Sequence, residues 1–132
     1  VTRKISHAVA RISLGKQEKL LLGNLASGRD WGFAKDYVEA MWLMLQQKKP
    51  DDYVIATGKV HSIRDLCETA FSYVGHEWKK YVIIDKRFIR PTETGPLVGD
   101  YSKAKKILKW KPSTRFKELI WLMVDSNIAR LK

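Results

Sequence analysis

The stretch Gly28-Arg29-Asp30-Trp31-Gly32-Phe33-Ala34-Lys35-Asp36-Tyr37-Val38-Glu39-Ala40-Met41-Trp42-Leu43-Met44-Leu45 decides how the rest of the chain is read. It sets an arginine and a tryptophan on a short turn and follows them at once with an amphipathic segment. From Ala34, Tyr37, Val38, Met41 and Leu45 recur at helical spacing, which predicts a helix over 34–47 with one apolar face. On this reading Arg29 stands at the mouth of a helix on a rigid support, a place that suits an anion. An exposed arginine beside a packed tryptophan is the plainer alternative, because one arginine before one helix is a weak motif.

Outward from that stretch, helices and strands alternate. Residues 1–14 read as a helix with Ile5, Ala8, Val9 and Ile12 on one face and Gly15 to end it. Leu20-Leu21-Leu22 is a short apolar strand closed by Gly23-Asn24, and Leu25-Ala26-Ser27-Gly28 is the loop that delivers Arg29. Beyond Pro50, Tyr53-Val54-Ile55-Ala56 reads as a buried strand. Ser62 with Asp65 forms a capping box for a helix running to about Gly75. Residues 79–88 are mostly extended around Tyr81-Val82-Ile83-Ile84, and Arg90-Pro91-Thr92-Glu93 breaks them. A glycine- and proline-bearing loop covers 94–100, Ser102 is placed to cap a helix over 103–108, and Pro112-Ser113-Thr114 opens a last helix carrying Phe116, Ile120, Met123 and Ile128 on one face. The class is α/β, or α+β for a piece standing alone, with several helices on a small sheet. Three visible strands are few for so many amphipathic helices, so some apolar helix faces lack a partner layer within these residues.

The chain has 132 residues, 45% of them hydrophobic, with five tryptophans, enough for one domain with a real core. No apolar run approaches the ~20 residues of a membrane span. The opening Val-Thr-Arg-Lys-Ile-Ser-His-Ala-Val-Ala is too polar for a signal peptide and begins in mid-pattern, as if continuing something longer. Cys67, the single cysteine, reads as a buried structural thiol in a reducing, cytoplasmic setting. A net charge of +11 favours anionic partners, but it is spread over short clusters at Lys48-Lys49, Lys79-Lys80 and Lys103 to Lys106, which reads as solvated surface before it reads as a nucleic-acid footprint.

Several motifs come close to a known chemistry and stop short. The run from Gly23 to Asp30 nearly spells a phosphate loop, but Arg29 and Asp30 stand where lysine and a magnesium-ligating hydroxyl belong. Tyr101 and Lys105 match a Y-x-x-x-K pair, yet they sit at a helix start in a lysine-rich chain. No G-x-G-x-x-G turn occurs, and His7, His61 and His76 lie too far apart for paired metal-ligand spacing. What remains is a constellation. Arg29 and Arg90 each sit at a turn near a rigid residue, Trp31 or Pro91, and Glu93 follows Arg90 by three. Two guanidinium groups can clamp a diphosphate, and a carboxylate can accept from both hydroxyls of a ribose. The bland counterpart is two surface ion pairs, Arg29–Asp30 and Arg90–Glu93.

An ordered series of short segments closely resembles the C-terminal part of the GDP-mannose 4,6-dehydratases, within the extended short-chain dehydrogenases/reductases. The series is Val1-Thr2-Arg3-Lys4-Ile5, Leu22-Gly23-Asn24-Leu25, Arg29-Asp30-Trp31-Gly32, Asp36-Tyr37-Val38-Glu39-Ala40-Met41-Trp42, Ile55-Ala56-Thr57-Gly58, His61-Ser62, Arg90-Pro91-Thr92-Glu93, Gly99-Asp100, Lys103-Ala104 and Leu108-Lys109-Trp110-Lys111-Pro112. The resemblance implies a substrate-binding segment. Val1 and Lys4 would face guanine, Leu22, Gly23 and Asn24 would line the same pocket, Arg29 and Arg90 would hold the diphosphate, Glu93 would bind the ribose, and Val60 would touch the nucleotide. It also implies that NADP and the catalytic residues belong to a Rossmann portion of the parent, so that no catalytic, cofactor-binding or metal-binding residue is expected here. Helix 34–47 and strand 53–56 would pack on that Rossmann sheet. Thr94-Gly95-Pro96 stands where the family carries a Val-Asp pair, and 74–82 looks short against the family pattern. The expected partners are GDP-mannose or GDP and a further copy of the chain, with no membrane. A free-standing binding or oligomerisation module and a basic nucleic-acid binder remain as alternatives.

Overall fold

A computed structural model describes residues 1–89, 91 and 95–132. The chain forms two compact units, one of residues 1–27, 62–95 and 120–132, the other of residues 28–61 and 96–119.

In the first unit, helix α1 (Thr2–Ser13) buries Ile5, Ala8, Val9 and Ile12, the stripe its spacing predicts. It ends where Gly15 takes φ +67°, with Gly15 N–H donating to the Ile12 carbonyl and Lys16 N–H to that of Arg11. That is a Schellman close, and glycine adopts its left-handed residue without a Cβ penalty. Helix α3 (Ile63–Tyr73) starts with the expected capping box: Asp65 N–H donates to Ser62 Oγ at 3.0 Å, and Ser62 N–H to Asp65 Oδ2 at 2.8 Å. It closes in the same way at Gly75, with His76 N–H on the Phe71 carbonyl. Leu66, Cys67, Ala70 and Phe71 of α3 are buried. Each large side chain fully withdrawn from water there contributes about 1.5–3 kcal/mol before entropy is counted. Strands β1 (Leu20–Leu22) and β4 (Val82–Ile84) pair in parallel, Leu20 opposite Val82 and Leu22 opposite Ile84. The expected extended run over 79–88 is shorter than its composition suggests, because 3-10 turns at Trp78–Lys80 and Lys86–Phe88 flank β4.

In the second unit, strand β2 (Gly28–Arg29) pairs with β3 (His61–Ser62), whose His61 belongs to the same unit. Helix α2 (Ala34–Leu45) stops two residues before the expected 47. Its buried residues are Asp36 and Ala40; Ala40 packs with Ala104, Leu108 and Trp110, while Tyr37 and Tyr101 meet Trp110 edge-on. The run 53–56, expected as a buried strand, forms no ladder among the described residues, and only Ala56 is buried. A strand needs a neighbouring edge, and β-branched composition does not supply one. Helix α4 (Ser102–Ile107) begins one residue early, and Ser102 is not its cap: the Asp100 carboxylate takes both the Ser102 amide and its hydroxyl. A charged acceptor two residues upstream holds that hydroxyl more strongly than an exposed amide does.

The last helix, α5 (Phe116–Leu131), buries Leu119, Ile120 and Val124, with Phe116, Met123 and Ile128 half-buried. Its lead-in is fixed inside the second unit by Asp36, which accepts from Ser113 N–H at 3.1 Å, Ser113 Oγ at 2.6 Å and Thr114 N–H at 2.9 Å. The architecture is α/β: a parallel strand pair, β1 with β4, accompanied by helices.

Candidate functional site

The residues assigned to nucleotide binding divide between the units. Val1, Lys4, Leu22, Gly23 and Asn24 lie in the first, Arg29 and Val60 in the second. Arg90 and Glu93 lie outside the described residues.

In the first unit the expected residues gather at the C-terminal ends of β1 and β4, the end at which parallel sheets receive ligands. Val1 opens α1, half-exposed, its carbonyl accepting from Ile5 N–H at 3.0 Å. One turn on, Lys4 Nζ sits 4.1 Å above the Phe88 ring. Gly23 lies under the same residue, and a Cβ there would run into the Phe88 carbonyl. Lys4, Gly23 and Phe88 therefore converge, and the close approach explains why position 23 is glycine. Leu22 contributes a buried side chain and a carbonyl that accepts from Asp85 N–H at 2.7 Å, so it supports the rim. Asn24 Oδ1 accepts from Ala26 N–H at 2.9 Å and shapes the turn after β1.

Two residues at this edge escaped the sequence reading, Asp85 and Phe88. Asp85 is forked by Arg87, with Nη2 at 2.6 Å and Nε at 3.0 Å from Oδ2. Those bonds, the Arg87 backbone N–H and the nearby Lys4 charge pull its carboxyl down to about 2. Its signal was available as an aspartate two residues before an arginine at the end of a β-rich run, but that pattern is too common to single out.

In the second unit Arg29 is not at a helix mouth. It lies in β2, and α2 starts only at Ala34 behind an N-cap at Phe33. Tyr37 hydroxyl and ring atoms occupy the space beside Gly32, so the intervening turn is packed tightly. Arg29 Nη1 donates to the Gly28 carbonyl at 2.7 Å, and its backbone also bridges to Leu97. Val60 covers Gly28: a Cβ there would fall 2.7 Å from Val60 Cγ1. His61 stacks on Phe116 at 3.8 Å and 7°, and Trp31 stacks on Phe116 at 6.1 Å.

The Arg29–Asp30 ion pair, the bland alternative to a diphosphate clamp, does not form. Asp30 accepts instead from Thr57 N–H, Thr57 Oγ1, Gly58 N–H and Gly99 N–H. Burial alone would raise its pKa, but these donors together outweigh burial and lower it. Asp36 follows the same logic, with Ser113 and Thr114 as donors. Tyr101 is packed against Trp110 and Lys105 is exposed, which makes the Y-x-x-x-K match structural. Cys67 is buried and its thiol is pushed up to about 12, chiefly by burial, so it is no nucleophile at neutral pH.

The family model for GDP-mannose 4,6 dehydratase matches residues 1–123. The chain belongs to the GDP-mannose 4,6-dehydratase family. It is 56% identical over 132 residues to GDP-mannose 4,6 dehydratase 1 of Arabidopsis thaliana and 47% identical over 149 residues to the Homo sapiens GDP-mannose 4,6 dehydratase. Both matches take in 100% of this chain, which spans 37% and 40% of those relatives. Among solved structures, RMD from Pseudomonas aeruginosa complexed with NADPH matches with a TM-score of 0.88 at 21% identity, over 98% of this chain and 42% of that one. UDP-glucose 4-epimerase from Bifidobacterium longum, in complex with NAD+ and UDP, matches with a TM-score of 0.75 at 17% identity, over 97% and 39%. At these identities the two likenesses show a shared fold alone.

Proposed function

We propose that this chain is the nucleotide-holding portion of a GDP-mannose 4,6-dehydratase whose parent converts GDP-mannose to GDP-4-keto-6-deoxymannose and water. The observation that carries the reading is the family match over 1–123, which takes in Lys4, Gly23, Arg29, Val60, Arg90 and Glu93. Geometry supports it, because Lys4 lies over the Phe88 ring and Gly23 against the Phe88 backbone, at the ligand-receiving end of a parallel pair. Val1 and Lys4 serve guanine, with Leu22, Gly23 and Asn24 forming the pocket edge and Val60 touching the nucleotide. Arg29 and Arg90 hold the diphosphate, and Glu93 binds the ribose. The lysine ammonium is a compact donor suited to a base carbonyl, and the arginine fork is suited to phosphate oxygens.

NADP belongs to the parent's Rossmann portion. These 132 residues contain no glycine-rich dinucleotide turn, so they do not fit that group, and they supply no step of the redox chemistry. The chain alone binds and does not turn over.

The partners are GDP-mannose or GDP and a second copy of the chain, in a cytoplasmic setting. Self-association is supported by the apolar side chains α2 leaves exposed: Val38, Met41, Trp42 and Leu45. No helix among the described residues is long and apolar enough to cross a membrane. Calorimetric titration with GDP tests the binding reading. Heat that is lost in Arg29→Ala and in Arg90→Ala is expected. An absence of heat at millimolar GDP would leave only a scaffold, and DNA affinity that falls steeply with salt would move the reading to a nucleic-acid binder.

A further inference from the structure

Arg29 and Asp30 carry opposite charges on adjacent residues, and they are not paired. The Asp30 carboxylate is already engaged. Oδ1 accepts from Thr57 N–H at 3.0 Å and Thr57 Oγ1 at 2.5 Å; Oδ2 accepts from Gly58 N–H at 2.9 Å and Gly99 N–H at 3.2 Å. A carboxylate offers about four acceptor sites, so these donors come close to filling it. Three separate segments, 30, 57–58 and 99, close on one half-buried group.

The glycines are part of the arrangement. Gly58 takes φ +74°, which lets its amide turn toward Asp30, and a Cβ on Gly99 would collide with the Ala56 side chain. The Arg29 backbone is meanwhile held in β2 beside β3 and bridged to Leu97. Side chains alternate along extended backbone, so anchoring Asp30 on one side directs Arg29 to the other.

We propose that Asp30 is a positioning residue for Arg29: by spending its carboxylate on Thr57, Gly58 and Gly99 it fixes the strand that presents the guanidinium and leaves that charge available for a diphosphate. This rests on the reading of Arg29 as a diphosphate ligand. The alternative role for Asp30 is purely structural, and the two differ in what they do to a ligand without phosphates.

The test is calorimetry of the chain with GDP and with guanosine, using Arg29→Ala, Asp30→Asn, their double variant, Thr57→Val and Thr57→Ser. Asp30→Asn is expected to weaken GDP about tenfold, the scale of one charge-assisted contact, and to leave guanosine unchanged. In the Arg29→Ala background the same change should add nothing, because its effect passes through the arginine. Thr57→Val, which removes one donor, should fall between, and Thr57→Ser should match the unaltered chain. If Asp30→Asn does not fold, Thr57→Val carries the same comparison. Equal loss for GDP and guanosine, or an undiminished loss in the Arg29→Ala background, overturns the positioning role alone. GDP binding that is absent, or unchanged by Arg29→Ala, overturns the diphosphate reading and this inference with it.

Discussion

Helices α1 and α2 are both 12 residues long and both carry an apolar stripe, yet they end in opposite environments. On α1 the stripe Ile5, Ala8, Val9 and Ile12 is buried. On α2 the spacing i, i+3, i+4, i+7 falls on Val38, Met41, Trp42 and Leu45, which are 61%, 58%, 60% and 82% exposed. The helix is held from its other side, where Ala40 packs on Trp110 and Asp36 ties down 113–114. Amphipathic spacing identifies the face that seeks a partner layer and says nothing of whether that layer lies within the same residues.

The contrast is sharpest in the cost of truncation. Phe71 is fully buried in the first unit, and Phe71→Ala should lose about 3–5 kcal/mol by urea unfolding, because packed neighbours cannot close the void. Phe71 belongs to α3, against which α1 packs, so a loss below about 1 kcal/mol would mean that the core receiving the α1 stripe is loosely packed and that the distinction between α1 and α2 is one of degree.

A smaller effect separates the polar side of α2 from its apolar side. Asp36→Ala strands the Ser113 and Thr114 donors, and about 1–3 kcal/mol is expected. The carboxylates also give an acid signature. Asp30 and Asp36 both have folded pKa values below the ordinary ~3.9. Their stabilisation is complete above that value and is lost as pH falls through the lowered folded values. Unfolding midpoints measured from pH 6 down to pH 2 should therefore drop in the parent chain and drop less steeply in Asp36→Asn. Parallel profiles would show that Asp36 contributes no pH-linked stability.

Local features were legible in the residues. Gly15 and Gly75 marked helix ends, Ser62 and Asp65 announced a capping box, and the α1 stripe named its own buried side. These depend on neighbours a few positions apart. What the residues hid depends on long-range placement. The Tyr53–Ala56 run has strand composition but no edge to pair with among the described residues. Asp30 looked like an ion-pair partner for Arg29 because its true donors lie 27 to 69 positions away. Arg29, expected at a helix mouth, lies in β2 instead, since the distance from a turn to a helix start is set by packing at Gly32 and Tyr37. Phe88, which both Lys4 and Gly23 contact, carried no signal beyond being an aromatic after a strand.

The least change in stability and the clearest change in association should come from the exposed stripe. Trp42→Ser and Met41→Ser remove apolar area that the folded chain leaves in water, so unfolding free energies should stay within about 0.5 kcal/mol of the parent. The same substitutions remove the centre of a contiguous apolar patch, and a patch of that kind drives contacts between molecules. Multi-angle light scattering over a range of concentrations should show the parent chain associating and the double variant remaining monomeric. A parent that stays monomeric at high concentration rules out this stripe as a self-association surface. A double variant that loses several kcal/mol would show that the stripe is packed within the chain itself, and the contrast between α1 and α2 would disappear.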